Sequence, residues 1–163
     1  MRHPVEELLE RHSEMDFAVL GHRFASHGRD YEILVQDYMG ASPGTHVLTF
    51  THTVVAECET RVADFVWPMS WTDEFTDYER WTEAGEPGGY VWGTNWSLAY
   101  PGIWAVSDSE RALDWSERIG RAMFECGLET DRFFLRLIFH SINTRKISDD
   151  TNTVSSVITF IQW

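Results

Sequence analysis

Short runs of β-branched and aromatic residues, alternating with polar ones and divided by turn-forming clusters, recur through this 163-residue chain and direct it toward a sheet. Residues 31–38 place Tyr31, Ile33, Val35 and Asp37 on one face and Leu34 on the other, the two-residue period of a strand. Residues 16–24, carrying Phe17, Val19, Leu20 and Phe24, precede them across 25–30, whose composition is that of a hairpin loop. A turn signal at 40–44 leads into a third strand over 47–55. That strand continues or restarts through 56–62, where interspersed acids suit a sheet edge. Residues 123–128, 133–142 and 154–163 also read as strands, with 148–152 as the turn that closes a final hairpin. Two strand segments are alike: residues 48–54 and 137–142 each set a Phe shortly before a His and a small hydroxyl residue.

Helical signals are fewer. Pro4 begins an amphipathic stretch to residue 15, with Val5, Leu8, Leu9 and His12 on one stripe and Glu6, Glu7 and Glu10 toward its start. Ser107-Asp108-Ser109-Glu110 reads as a capping box, followed by Ala112, Trp115 and Ile119 on one stripe and Gly120 as a stop, so a capped helix is expected near 108–119. The centre, 67–89, reads as a short helix or a long loop. Residues 90–100 resemble a strand pair or a bulged strand, with Pro101-Gly102 closing it. The expected architecture is α+β, largely antiparallel, with the two similar segments raising two related β units as an option. A single domain over 1–163 is expected: an N-terminal helix to residue 15, a core over 16–147 and a C-terminal strand over 148–163.

Charge narrows the function. Thirteen Lys and Arg face 26 Asp and Glu, a formal net charge of −13. Such a field repels phosphate, so nucleic acid and anionic membranes are poor partners and a basic protein is a good one. Cys58 and Cys126 lie far apart without metal-knuckle spacing, which fits a reducing cytoplasm, and adjacent Glu57, Glu59 and Glu125 are expected to raise their thiol pKa values. Neither a signal peptide nor a long apolar run is legible, and the glycines at 85–89 lack the Lys-Ser/Thr of a phosphate loop. No cofactor is expected.

Three chemistries remain in view. His22, His27 and Asp30 cluster around the first hairpin and raise a metal-dependent enzyme, although backbone pairing explains them as well. His52 and His140 would sit side by side if their strands were neighbours, as an acid-base couple, a pH-sensitive pair or two rim histidines. Trp71, Asp73, Glu74, Asp77, Tyr78 and Trp81 mix aromatics with acids, a composition that serves equally a core with a solvated face, a protein interface, or a saccharide or small-molecule platform with hydrolytic carboxylates.

Arg29-Asp30-Tyr31-Glu32, Tyr90-Val91-Trp92-Gly93, Tyr100-Pro101-Gly102 and Ser107 to Ala112 leading into Trp115 to Gly120 together resemble the YxiG-like family of small bacterial proteins, common in actinomycetes, from about residue 16 to 147. The motifs are turns, aromatic packing and a cap, so the resemblance implies a shared fold and carries over no functional residue. The name-giving relative belongs to a Bacillus neighbourhood encoding a contact-dependent toxin and immunity proteins, and the resemblance implies, by that association, a toxin-neutralising role. The resulting expectation is a non-catalytic, cytoplasmic protein-binding module that meets a basic partner, such as a toxin, through Trp71, Asp73, Glu74, Asp77, Tyr78 and Trp81. The alternatives are a small-molecule or saccharide-binding protein or hydrolase, and a metal-dependent enzyme at His22 and His27.

Overall fold

The computed structural model describes residues 2–11, 17–37, 42–61, 64, 78–83, 85 and 97–147. In chain order these form α1 (Pro4–Arg11), β1 (Phe17–Phe24), a 3-10 turn (Ser26–Gly28), β2 (Tyr31–Asp37), β3 (Gly44–Thr51), β4 (Val55–Thr60), α2 (Tyr78–Glu83), β5 (Ser97–Val106), α3 (Glu110–Ile119), β6 (Phe124–Thr130), β7 (Phe133–Phe139) and β8 (Ser141–Lys146). The protein is α+β, and every strand pairing is antiparallel.

The strands are ordered β4-β7-β6-β5-β1-β2-β3-β8. The two ends of that order are not independent. β4 continues β3 after His52-Thr53-Val54, and β8 continues β7 after His140, so the β3·β8 and β4·β7 ladders belong to one long pair of bent strands. At the bend the ladder is carried by Val54 N–H to Ile138 O (2.9 Å) and His140 N–H to Thr51 O (2.9 Å). Because β3 also pairs with β2, and β7 with β6, the hydrogen bonding returns on itself like a barrel. The two similar segments are the partners at this bend: Phe50 meets Phe139 edge-on (ring centroids 5.9 Å apart for the histidines, 4.9 Å for the phenylalanines), and His52 meets His140.

Alternation then decides the core. Val19, Ile33, Val35, Leu48, Leu128 and Leu137 point to one interior, which Val5 and Leu8 of α1 close. Each such buried aliphatic side chain contributes about 2 kcal/mol. Leu34, Val47 and Ile147, with Leu20, pack on the opposite face, as the period of β2 requires. Outside the sheet, α3 rests Ala112 and Trp115 on Met123, Ile138, Val54 and Val55.

Three sequence expectations are corrected. Pro101-Gly102 does not close a strand: β5 runs through it, with the register shift of a bulge between Ala99 and Gly102. The missing proline N–H is tolerated where the ladder is already interrupted. The cap of α3 is Ser109, not Ser107: its hydroxyl accepts from Ala112 N–H at 3.1 Å, and Glu110 is already helical. Ile119 is 43% exposed rather than packed, because it occupies the last turn, beyond the sheet surface that Ala112 and Trp115 cover. Gly120 does end the helix, at φ 64°. The expected hairpin over 148–163 and the residues 90–96 lie outside the described residues.

Candidate functional site

The bends of β3 and β7, the first hairpin and the α1–α3 side each collect polar groups. At the bend, His52 takes φ 50°, a left-handed conformation unusual for a non-glycine residue. Its N–H is held by Asp30 Oδ1 (2.9 Å), and the next amide, Thr53 N–H, by Arg29 O (2.8 Å), so the β1–β2 turn pins the bend. His140 donates from Nδ1 to Ala122 O at 2.8 Å. The two imidazoles that sequence reasoning placed side by side are thus neighbours: the His140 ring is tied to a backbone carbonyl, whereas the buried Nδ1 of His52 has no hydrogen-bond partner among the described residues.

The first-hairpin set disperses. His22 Nδ1 lies 2.6 Å from the Tyr31 hydroxyl, and its ring packs 4.7 Å from that of Phe133. His27 is exposed at φ 78° in the 3-10 turn. Asp30 turns to Arg29 and to the His52 amide, and Arg29 holds its carboxyl below the usual range. Among the described residues no three His, Cys, Asp or Glu side chains converge to hold a metal ion. Burial pushes the His22 imidazole down and the Tyr31 phenol up to about 12, the latter aided by Cys58. Cys58 and Cys126 are free thiols, both raised first by burial and then by the adjacent Glu59 and Glu125, so neither is an activated nucleophile.

The third region is a cleft of about 360 Å³ between the start of α1, the β5–α3 turn and the start of β6. Met123 and Phe124 give it an apolar base, Glu6 and Asp108 line its walls, and Leu113, 60% exposed, stands at its edge. Asp108 sits at φ 54°, a left-handed position that Asp tolerates better than most residues. Beneath α3, Glu125 is 4% exposed. Ser109 Oγ donates to its carboxylate, Arg136 Nε stands at 3.3 Å and Arg111 at 3.9 Å, while the positive end of the α3 dipole lies above. Arg111 also donates two hydrogen bonds to Glu57 (2.7 and 3.0 Å) and holds that carboxyl below its ordinary range. The network therefore stitches β4, α3, β6 and β7 together.

In the cleft, Ser109 accepts from Ala112 N–H and donates to Glu125, and both ring nitrogens of His3 are engaged by backbone groups. The exposed bases nearby are already matched: Arg2 with Glu10, Arg111 with Glu57, Arg118 with Asp114. Glu6, Asp108, Glu110 and Glu117 are exposed and hold no ion pair among the described residues. Sequence reasoning missed Glu6, Asp108 and Leu113 as a group because they come from separate elements. Of the interface residues it named, Trp71, Asp73, Glu74 and Asp77 lie outside the described residues, and Tyr78 and Trp81 fall on α2.

No helix among the described residues is long and apolar enough to cross a membrane. A family model described as YxiG-like protein matches residues 2–156, a longer stretch than the motifs in the sequence mark out. No curated protein matches the chain.

Proposed function

The chain belongs to the YxiG-like family, and from that premise we propose that it is a non-catalytic, cytoplasmic binding module of the immunity type, neutralising a basic protein toxin. The observation that supports this most is the cleft edge: the carboxylates of Glu6 and Asp108, in no ion pair among the described residues, beside an exposed Leu113, on a chain of net charge −13. An apolar anchor gives contact area, and a one-signed surround accelerates encounter with a cationic surface. In this reading Trp71, Asp73, Glu74, Asp77, Tyr78 and Trp81 also contribute acidic and aromatic contacts to the partner.

The test is co-expression with a basic toxin domain, taken from any polymorphic toxin gene found adjacent to the one for this chain, followed by co-purification at low and high salt. The expected result is growth rescue and a complex that weakens with salt. Charge reversal in the pair Glu6→Lys and Asp108→Lys, or Asp73→Lys and Asp77→Lys, should weaken it at low salt. Absence of rescue, or a complex indifferent to salt and to all four reversals, rejects the reading.

A second reading has one observation in its favour: the cleft volume falls within the roughly 300–1,000 Å³ of small-molecule sites. A thermal-shift panel of sugars and small cations would support it through a saturable rise in melting temperature that Asp108→Ala abolishes.

A further inference from the structure

Helix α1 is held by a histidine whose protonation state is dictated by its neighbours. His3 is the N-cap: its carbonyl accepts from Glu6 N–H (3.0 Å) and Glu7 N–H (3.3 Å), with Pro4 in the first helical position. Its ring makes two further bonds. Nδ1 accepts from Val5 N–H at 3.2 Å, and Nε2 lies 2.9 Å from Glu125 O on β6. An amide N–H only donates and a carbonyl only accepts, so the network assigns the neutral imidazole with its proton on Nε2. The ring also stands edge-on to Phe124 and Phe139, at 5.2 and 6.3 Å between centroids.

Protonation breaks this arrangement in two ways. A proton on Nδ1 removes the acceptor of Val5 N–H and sets one donor against another. It also places a cation at the positive end of the α1 dipole, where charge of that sign is disfavoured. What the cap secures is substantial, because Val5 and Leu8 are 0% exposed in the main core. The charged groups around the ring do not cancel the effect. Glu6, on the same helix, favours the imidazolium, and Arg2 is occupied by Glu10. From β6, the Glu125 carboxylate is taken by Ser109, Arg136 and Arg111; β7 contributes Phe139 to the ring and Arg136 to Glu125; Asp108 lines the same cleft from the β5–α3 turn. Burial outweighs the Glu125 carbonyl and Glu6 and keeps His3 below its ordinary value.

We propose that α1 is an acid-released latch: protonation of His3 undocks the helix from the end of the sheet, uncovering the seat of Val5 and Leu8 and removing the Glu6 wall of the cleft. The latch is a property of the chain alone and does not depend on what fills the cleft.

Amide hydrogen exchange on the full chain at about pH 7.5 and about pH 5, corrected for intrinsic rates, reads it directly. The expected result is that α1 amides lose at least about tenfold in protection at the lower pH, while those of β2 and β3 keep theirs. His3→Asn keeps a neutral capping oxygen and should hold α1 protected at both pH values. Wild-type protection that is independent of pH overturns the proposal, as does His3→Asn following the wild type. Should His3→Asn leave α1 undocked at neutral pH, imidazole ¹⁵N shifts of the wild type decide. A single Nε2–H tautomer that titrates together with α1 release supports the latch, and an Nδ1–H tautomer or separate titration rejects it.

Discussion

Gly127 shows how one missing side chain organises a surface. It pairs with Trp104 on β5 and Arg136 on β7, and the Trp104 indole lies across it, stacked on Phe134 at 5.8 Å between centroids. A Cβ at Gly127 would come within 2.6 Å of Trp104 Cε2, a clash with a rigid ring rather than with the end of a flexible chain. Gly127→Ala should therefore cost about 2 kcal/mol in urea unfolding, and much less in a Trp104→Ala background. An equal cost in both backgrounds would remove the indole from the explanation. The strand containing Gly127 was readable from its neighbours, whereas the indole covering it was not, because the pair is cross-strand. Glu125 makes the same point. Alternation puts it on the outer face of β6, where an acid is expected to meet solvent, yet α3 covers that face and Ser109, Arg111 and Arg136 become obligatory partners.

Helices and hairpins were legible because their signals are local. The first hairpin, the restart of β3 as an acidic β4 with exposed residues, and the glycine stop of α3 all follow from backbone preferences of residues adjacent in the chain. The capping serine was not, since Ser107 and Ser109 offer the same hydroxyl within one turn. Ser109 wins because its hydroxyl donates a hydrogen bond to Glu125 beneath it while its Oγ lone pair accepts from the Ala112 amide. Ser109→Ala should then cost about 1–2 kcal/mol, and Ser107→Ala should stay within about 0.5 kcal/mol of wild type, measured by denaturant midpoints. Equal effects would restore the capping box as the sequence spells it.

For the molecule as a whole, the decisive event is closure of the sheet through two bent strands. His52 and His140 occupy the bends, and His3 and His22 are held neutral by burial at other points of the core. Since both folded-state values lie below the ordinary 6.5, the unfolded chain binds these protons more readily. Their contribution to stability is whole above about 6.5 and is lost as pH falls from there through the lower folded values. Urea midpoints measured at about pH 7 and about pH 5 should fall with pH, and by less in His22→Gln if that variant folds with its Tyr31 contact intact. A midpoint that rises on acidification would contradict the assignment of both rings as neutral.

Composition alone set the acidic balance, and periodicity and turn chemistry dictated the antiparallel α+β character and most strand positions, because these depend on residues within a few positions of one another. Which strands meet, that the two similar segments become partners at one bend, and that Glu6, Asp108 and Leu113 share a cleft were decided only by tertiary packing. Such contacts join residues about a hundred positions apart, and their geometry is set by how the bent strands close around a shared apolar interior, which no local preference encodes.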